Sequence, residues 1–170
     1  MEEEFVGKRA PAALILAALA AVIVGAMYLL NVFSYMSMTV EEEDMAGTVV
    51  STFFVILYFI MFTRLLVSVF GLPSGSRKSW RSTVRMAVSY IVLTIISYQG
   101  FDFISRDLSY DGFTVPAWVL SLVMLLVLVY MFKGDVRAHF TPSYAEPVGI
   151  QFWLLYAFYS DPFKGSRFRV

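Results

Sequence analysis

The sequence predicts an all-α integral membrane protein: a four-transmembrane-helix bundle with both termini inside and a short apolar, aromatic C-terminal helix at the interface or docked on protein. Three observations predict it. The 170 residues are 59% hydrophobic and only 15% charged, whereas soluble domains carry about 25% charged residues. So small a chain cannot hide that much apolar side chain in its own interior, and a disordered chain would need the opposite balance. The second observation is a set of four long apolar runs. The third is the sorting of charge between the segments that join them.

The first run covers 12–33 and holds no charged residue. It is near the ~20 residues that cross ~30 Å of hydrocarbon at 1.5 Å per residue. Pro11 sits where a first helical turn tolerates proline. Lys8 and Arg9 before it, and Ala18-Leu19-Ala20 within it, resemble a signal peptide. The run is longer than a signal h-region and Glu2-Glu3-Glu4 is a poor n-region, so a retained span is expected.

The second run, 46–70, is interrupted only by Arg64. Glu41-Glu42-Glu43-Asp44 places anions before it, where the helix dipole favours them. Gly71-Leu72-Pro73-Ser74-Gly75-Ser76 ends it with turn-forming residues. The third run, 84–101, is weaker: Arg85 stands at its start and Ser82, Thr83, Ser89, Thr94, Ser97 and Gln99 make it polar. Such a helix is expected to face the bundle interior or a neighbour rather than lipid. Asp111-Gly112 separates it from the fourth run, 113–132, which is uncharged and has Pro116 in its first turn. Backbone polar groups find no water in lipid, so each run is expected to be helical.

Residues 1–133 therefore form the expected transmembrane domain and 134–170 a cytoplasmic aromatic tail. Within the tail, 148–159 is apolar nearly all round but too short to span. It is expected to form a short helix that lies at the interface, dips into the membrane or docks on protein.

Orientation follows from the basic residues. Of 13 Lys and Arg, only Arg106 falls in a segment on the opposite side from the rest. The positive-inside rule then places both termini and the 71–83 loop in the cytoplasm. The acidic segments 34–45 and 102–112 face outside, and a plasma membrane is the expected location.

Composition also removes chemistry. The chain has no cysteine and a single histidine, His139. Thiolate catalysis, Cys-ligated metals, bis-His haem and His-rich metal sites built by this chain alone are excluded. His139 is expected in a cytoplasmic loop. Equal numbers of acidic and basic residues, 13 each, give no basic excess for nucleic acid. No Gly-rich phosphate loop, HExxH, GxSxG or intramembrane carboxylate pair occurs. No catalytic residue, cofactor or metal is therefore expected.

Three sets of residues stand out as sites. Ala13, Ala17, Ala21 and Gly25 form a small-residue ridge along the first run, which lets another backbone approach closely. Arg64, Arg77, Lys78, Arg81 and Arg85 are candidates for lipid or anion contact. Arg64 reaches headgroups by snorkelling or clamps an anion bidentately. Phe152, Trp153, Tyr156, Phe158 and Tyr159 crowd the tail where no span needs them, the composition of a docking surface. The expected function is a non-catalytic membrane subunit or assembly partner of a larger complex, with membrane lipids and other membrane protein subunits as partners. The alternative is a small oligomeric transporter or channel.

Overall fold

A computed structural model of the chain describes residues 10–41, 45–100, 108–110, 113–115, 117–141 and 149–159. Its elements are α1 (Ala12–Glu41), α2 (Met45–Phe70), α3 (Arg77–Gly100), β1 (Leu108–Tyr110), β2 (Phe113–Val115), α4 (Ala117–Met131), α5 (Gly134–Phe140) and α6 (Ile150–Phe158).

The protein is a helical membrane protein. α1 and α2, of 30 and 26 residues, are each long and apolar enough to cross a bilayer. α4 and α5 meet the same standard only as a pair, bent by 64° at the break between them. Only 33% of the most apolar stretch of α1, and 28% of that of α2, is buried inside the protein. The remainder points outward: Leu16, Ile23 and Leu30 on α1, and Phe53, Ile56 and Val67 on α2. An aqueous surface would not carry apolar faces of that extent, so lipid is their solvent.

α1 packs along α2, α2 along α3, α3 along α4 and α4 back along α1, closing a ring. Cross-links show that consecutive helices run antiparallel. Thr39 and Ser51 hydroxyls lie 3.3 Å apart at one end of the α1–α2 pair. Gly25 lies against Leu65 and Phe62 nearer the other. Inside the ring sit Tyr28, Tyr58, Tyr90, Leu65 and Met124, together with Ser51, Ser68, Thr83 and Thr94. These four hydroxyl side chains face in because lipid cannot hydrogen-bond them.

Several expected boundaries are corrected. α1 does not stop at residue 33 but continues through Ser34 to Glu41, into the segment expected to be an acidic loop. Thr39 is buried there and its hydroxyl donates to Met36 O at 2.9 Å, so the extra turns pack on α2. α3 begins at Arg77 rather than 84, so only 71–76 connects it to α2. That connection is tight. Gly75 has φ 74°, and a Cβ on Gly71 would meet Ser79 Oγ and come within 2.9 Å of Ser79 Cβ. Glycine alone fits both places comfortably.

The fourth run is not helical from 113. Phe113-Thr114-Val115 is a strand paired antiparallel with Leu108-Ser109-Tyr110. In sequence the two strands are separated by Asp111-Gly112, a dipeptide type that favours tight connections. The all-α expectation therefore holds for the packed body and fails for this small ribbon. The tail holds one more helix than expected, α5, whose Val136 and Phe140 are buried.

Candidate functional site

The centre of the ring is aromatic and polar at once. Tyr28, Tyr58 and Tyr90, one from each of α1, α2 and α3, pack with ring centroids 5.3 to 5.9 Å apart, Tyr28 stacked on the other two. The Tyr28 hydroxyl lies 2.7 Å from Thr94 Oγ1 and 2.8 Å from Ser121 Oγ, so one side chain ties α1 to α3 and α4. Thr94 Oγ1 also donates to Tyr90 O at 2.9 Å. The hydroxyls of Tyr58 and Tyr90 are buried with no hydrogen-bond partner among the described residues. The polar character expected to turn α3 inward is carried by Thr83 and Thr94, both buried. Thr83 donates to Ser68 Oγ at 3.0 Å and so links α3 to α2.

The basic end gathers α5, α6 and the start of α3. Trp80 is its hub. The indole Nε1–H donates to Met131 O at 2.9 Å, satisfying a carbonyl at the end of α4. Its ring meets Trp153 at 4.7 Å, Phe132 at 5.2 Å and Tyr156 at 6.0 Å. Trp153 and Tyr156 are therefore core residues of this chain rather than docking residues. Burying both indoles against one another removes more apolar area from solvent than presenting them outward. Phe152, Phe158 and Tyr159 remain exposed on the outer face of α6.

The five cations separate into distinct roles. Arg85 Nε donates to Ala157 O at 2.6 Å, and Arg81 Nε and Nη2 reach Ala157 O and Tyr159 O at 3.5 and 3.1 Å. The Arg81 guanidinium also lies 5.2 Å from the Tyr156 ring centroid. Both arginines thus cap the C-terminus of α6, where carbonyls lack intrahelical donors and the dipole attracts cations. Arg77 is half-buried and interacts within the chain. Arg64 and Lys78 are exposed and make no ion pair among the described residues.

Those two line one open groove of about 410 Å³ between α2 and α3, with Thr63, Ser68, Ser79 and Ser82. Thr63 and Ser68 donate to carbonyls of their own helix. The hydroxyls of Ser79 and Ser82 are free among the described residues. The groove is rich in donors and its lining has no carboxylate or imidazole, so it can hold an oxyanion but supplies no general base. Arg64 and Lys78 were legible as candidates. The serines were not, because their place opposite Arg64 depends on how α2 and α3 cross. The i, i+4 spacing of Lys78 and Ser82 was the available signal.

The small-residue ridge splits along its length. Ala13 is exposed, Ala17 half-buried, and Ala21 and Gly25 buried. Residues four apart drift by about 40° around a helix of 3.6 residues per turn, so the row leaves one face for another. At its buried end a Cβ on Gly25 would lie 3.1 Å from Leu65, 3.2 Å from Phe62 and 3.2 Å from the Tyr90 hydroxyl. The ridge there serves packing within the chain.

His139 is on α5, not in a loop, with Nε2 3.2 Å from Leu72 O. It pins α5 to the α2–α3 turn. Among the described residues no group of three or more His, Cys, Asp or Glu is placed to hold a metal ion.

Comparison of the chain with protein-family models, with curated proteins and with solved structures finds no match.

Proposed function

We propose that this chain is a non-catalytic, multi-pass subunit or assembly partner of a larger membrane protein complex. In this reading all four long helices cross the plasma membrane, with both termini and the basic end in the cytoplasm. The contact ring supports four crossings, since α3 and α4 pack antiparallel against helices that span by themselves. The gathering of Arg77, Lys78, Arg81, Arg85, Lys133 and Arg137 near the ends of helices supports the orientation.

The observation that carries the reading is the outer face of α6. Two arginines and a tryptophan pair hold this helix on the bundle, yet Phe152, Leu154, Leu155, Phe158 and Tyr159 point away from it. A helix adapted to a lipid surface carries Lys and Arg on its polar face. Here the single non-aromatic polar side chain is Gln151. A rigid apolar and aromatic ledge is the composition of an interface core. The tyrosines that fill the centre of the ring argue against a conducting path through one chain.

The test is the mass of the particle extracted in mild detergent, with a photo-crosslinking residue at 158 and a control at Val92. A particle whose protein mass is not a whole multiple of 19.3 kDa, with protein crosslinks from 158 and not from 92, is expected. A bare homo-oligomer without crosslinks at 158 would overturn the proposal.

A further inference from the structure

We propose that the groove between α2 and α3 is a binding site for the phosphate headgroup of an anionic glycerophospholipid from the leaflet at the basic end. The groove brings together two cations from different helices, Arg64 and Lys78, with neither neutralised by a carboxylate among the described residues. The remaining cations near it are spent otherwise: Arg81 and Arg85 on the carbonyls of α6, Arg77 within the chain. Ser79 and Ser82 add two free hydroxyl donors. A planar guanidinium, an ammonium and two hydroxyls match an anion with several acceptor oxygens, which is the chemistry of phosphate.

The surroundings favour a lipid over free phosphate. Arg64 lies on a spanning helix, on a stripe that continues as Ile60, Ile56 and Phe53 at helical spacing, all exposed. An acyl chain following that stripe toward the bilayer centre leaves its headgroup at Arg64. Val67, also exposed, borders the groove on the same stripe. A zwitterionic headgroup would bring a quaternary ammonium toward two cations, in a groove whose lining has no carboxylate to receive it. An anionic headgroup meets no such repulsion.

The full chain is reconstituted in vesicles holding phosphatidylglycerol and phosphatidylcholine in equal amounts, extracted in mild detergent, and weighed intact with its retained lipid. Wild type is expected to retain phosphatidylglycerol in preference. The double variant Arg64→Gln/Lys78→Gln should lose that preference by about twenty-five-fold, each cation contributing a factor of about five near an anionic surface. Ser82→Leu, which keeps both charges and fills the groove, should lose it as well. Lys133→Gln, a cation at the same end that pairs with Asp135, should retain it. All four residues lie outside the packed core, and unchanged thermal unfolding verifies that the variants are folded. Equal retention of the two lipids by wild type, or an unaltered preference in the double variant, would overturn the proposal. Displacement of phosphatidylglycerol by inorganic phosphate alone would overturn the lipid as occupant and assign the groove to a free oxyanion.

Discussion

Arg85 Nε donates to the carbonyl of Ala157 at 2.6 Å, and this bond fixes the C-terminal helix to the start of α3. The two residues are 72 apart in sequence, and the contact converts a detached apolar tail into part of the folded body. It also explains why a cation stands at the edge of an otherwise apolar run. The carbonyls at the end of α6 lack intrahelical donors, and a guanidinium supplies them.

Arg85→Ala should therefore loosen α6 without disturbing the insertion of α1 and α2. A hydrogen bond from a charged group contributes about 1.5–3 kcal/mol, enough to release a helix of nine residues from its seat for part of the time. The expected readout is a red shift in tryptophan emission as Trp153 leaves Trp80, with new protease cleavage between α5 and α6. Arg85→Lys should be intermediate, since an ammonium has donors but no fork. Unchanged emission and cleavage in the alanine variant would show that the aromatic contacts alone hold α6.

The tyrosines offer a sharper contrast. Tyr28→Phe removes two interhelical hydrogen bonds, and such bonds average about 0.6 kcal/mol in membranes. A loss of about 1 kcal/mol is expected in reversible unfolding. Tyr58→Phe and Tyr90→Phe remove hydroxyls that are buried and unpartnered among the described residues. Shedding an unsatisfied polar group costs nothing in partners, so both should be neutral or stabilising. Equal losses for all three would mean that each hydroxyl is satisfied in the membrane.

Along α1, sensitivity to bulk should rise toward residue 25. Gly25→Val should be the most damaging, because a single Cβ already lies 3.1–3.2 Å from three side chains. Overpacking of this kind costs about 1–3 kcal/mol. Ala21→Leu should follow, Ala17→Leu should be milder, and Ala13→Leu should be tolerated on its exposed face. Folded yield after extraction is the measurement, and a flat profile would show that α1 does not pack through this row.

Topology is testable directly. Reporter fusions at residues 76 and 140 should read cytoplasmic and fusions at 43 and 108 external, as expected from the placement of Lys and Arg. An external signal at 140 would mean that α4 and its bent continuation α5 do not return the chain to the basic side.

The membrane class, the bounds of α2 to within one residue and the concentration of cations at one end were legible in the sequence alone. These follow from one-dimensional properties. A stretch of apolar residues is solvated by lipid whatever its neighbours are, and its backbone must then be satisfied within its own helix. The continuation of α1 to Glu41, the pairing of strands β1 and β2 and the helix α5 were not legible. Each depends on a partner: Thr39 needs Ser51, Phe113 needs Tyr110, and His139 needs the carbonyl of Leu72. The same holds for function. Five cations near one boundary look alike in sequence, and the tail aromatics look like one surface. Only the packing of α6 on α3 divides them. It turns Trp153 and Tyr156 inward and leaves Phe158 and Tyr159 outward. It also engages Arg81 and Arg85 on backbone carbonyls, leaving Arg64 and Lys78 facing a groove with two free hydroxyls. Which charge is free is set by what lies within about 3 Å of it, and that distance exists only once the helices have packed.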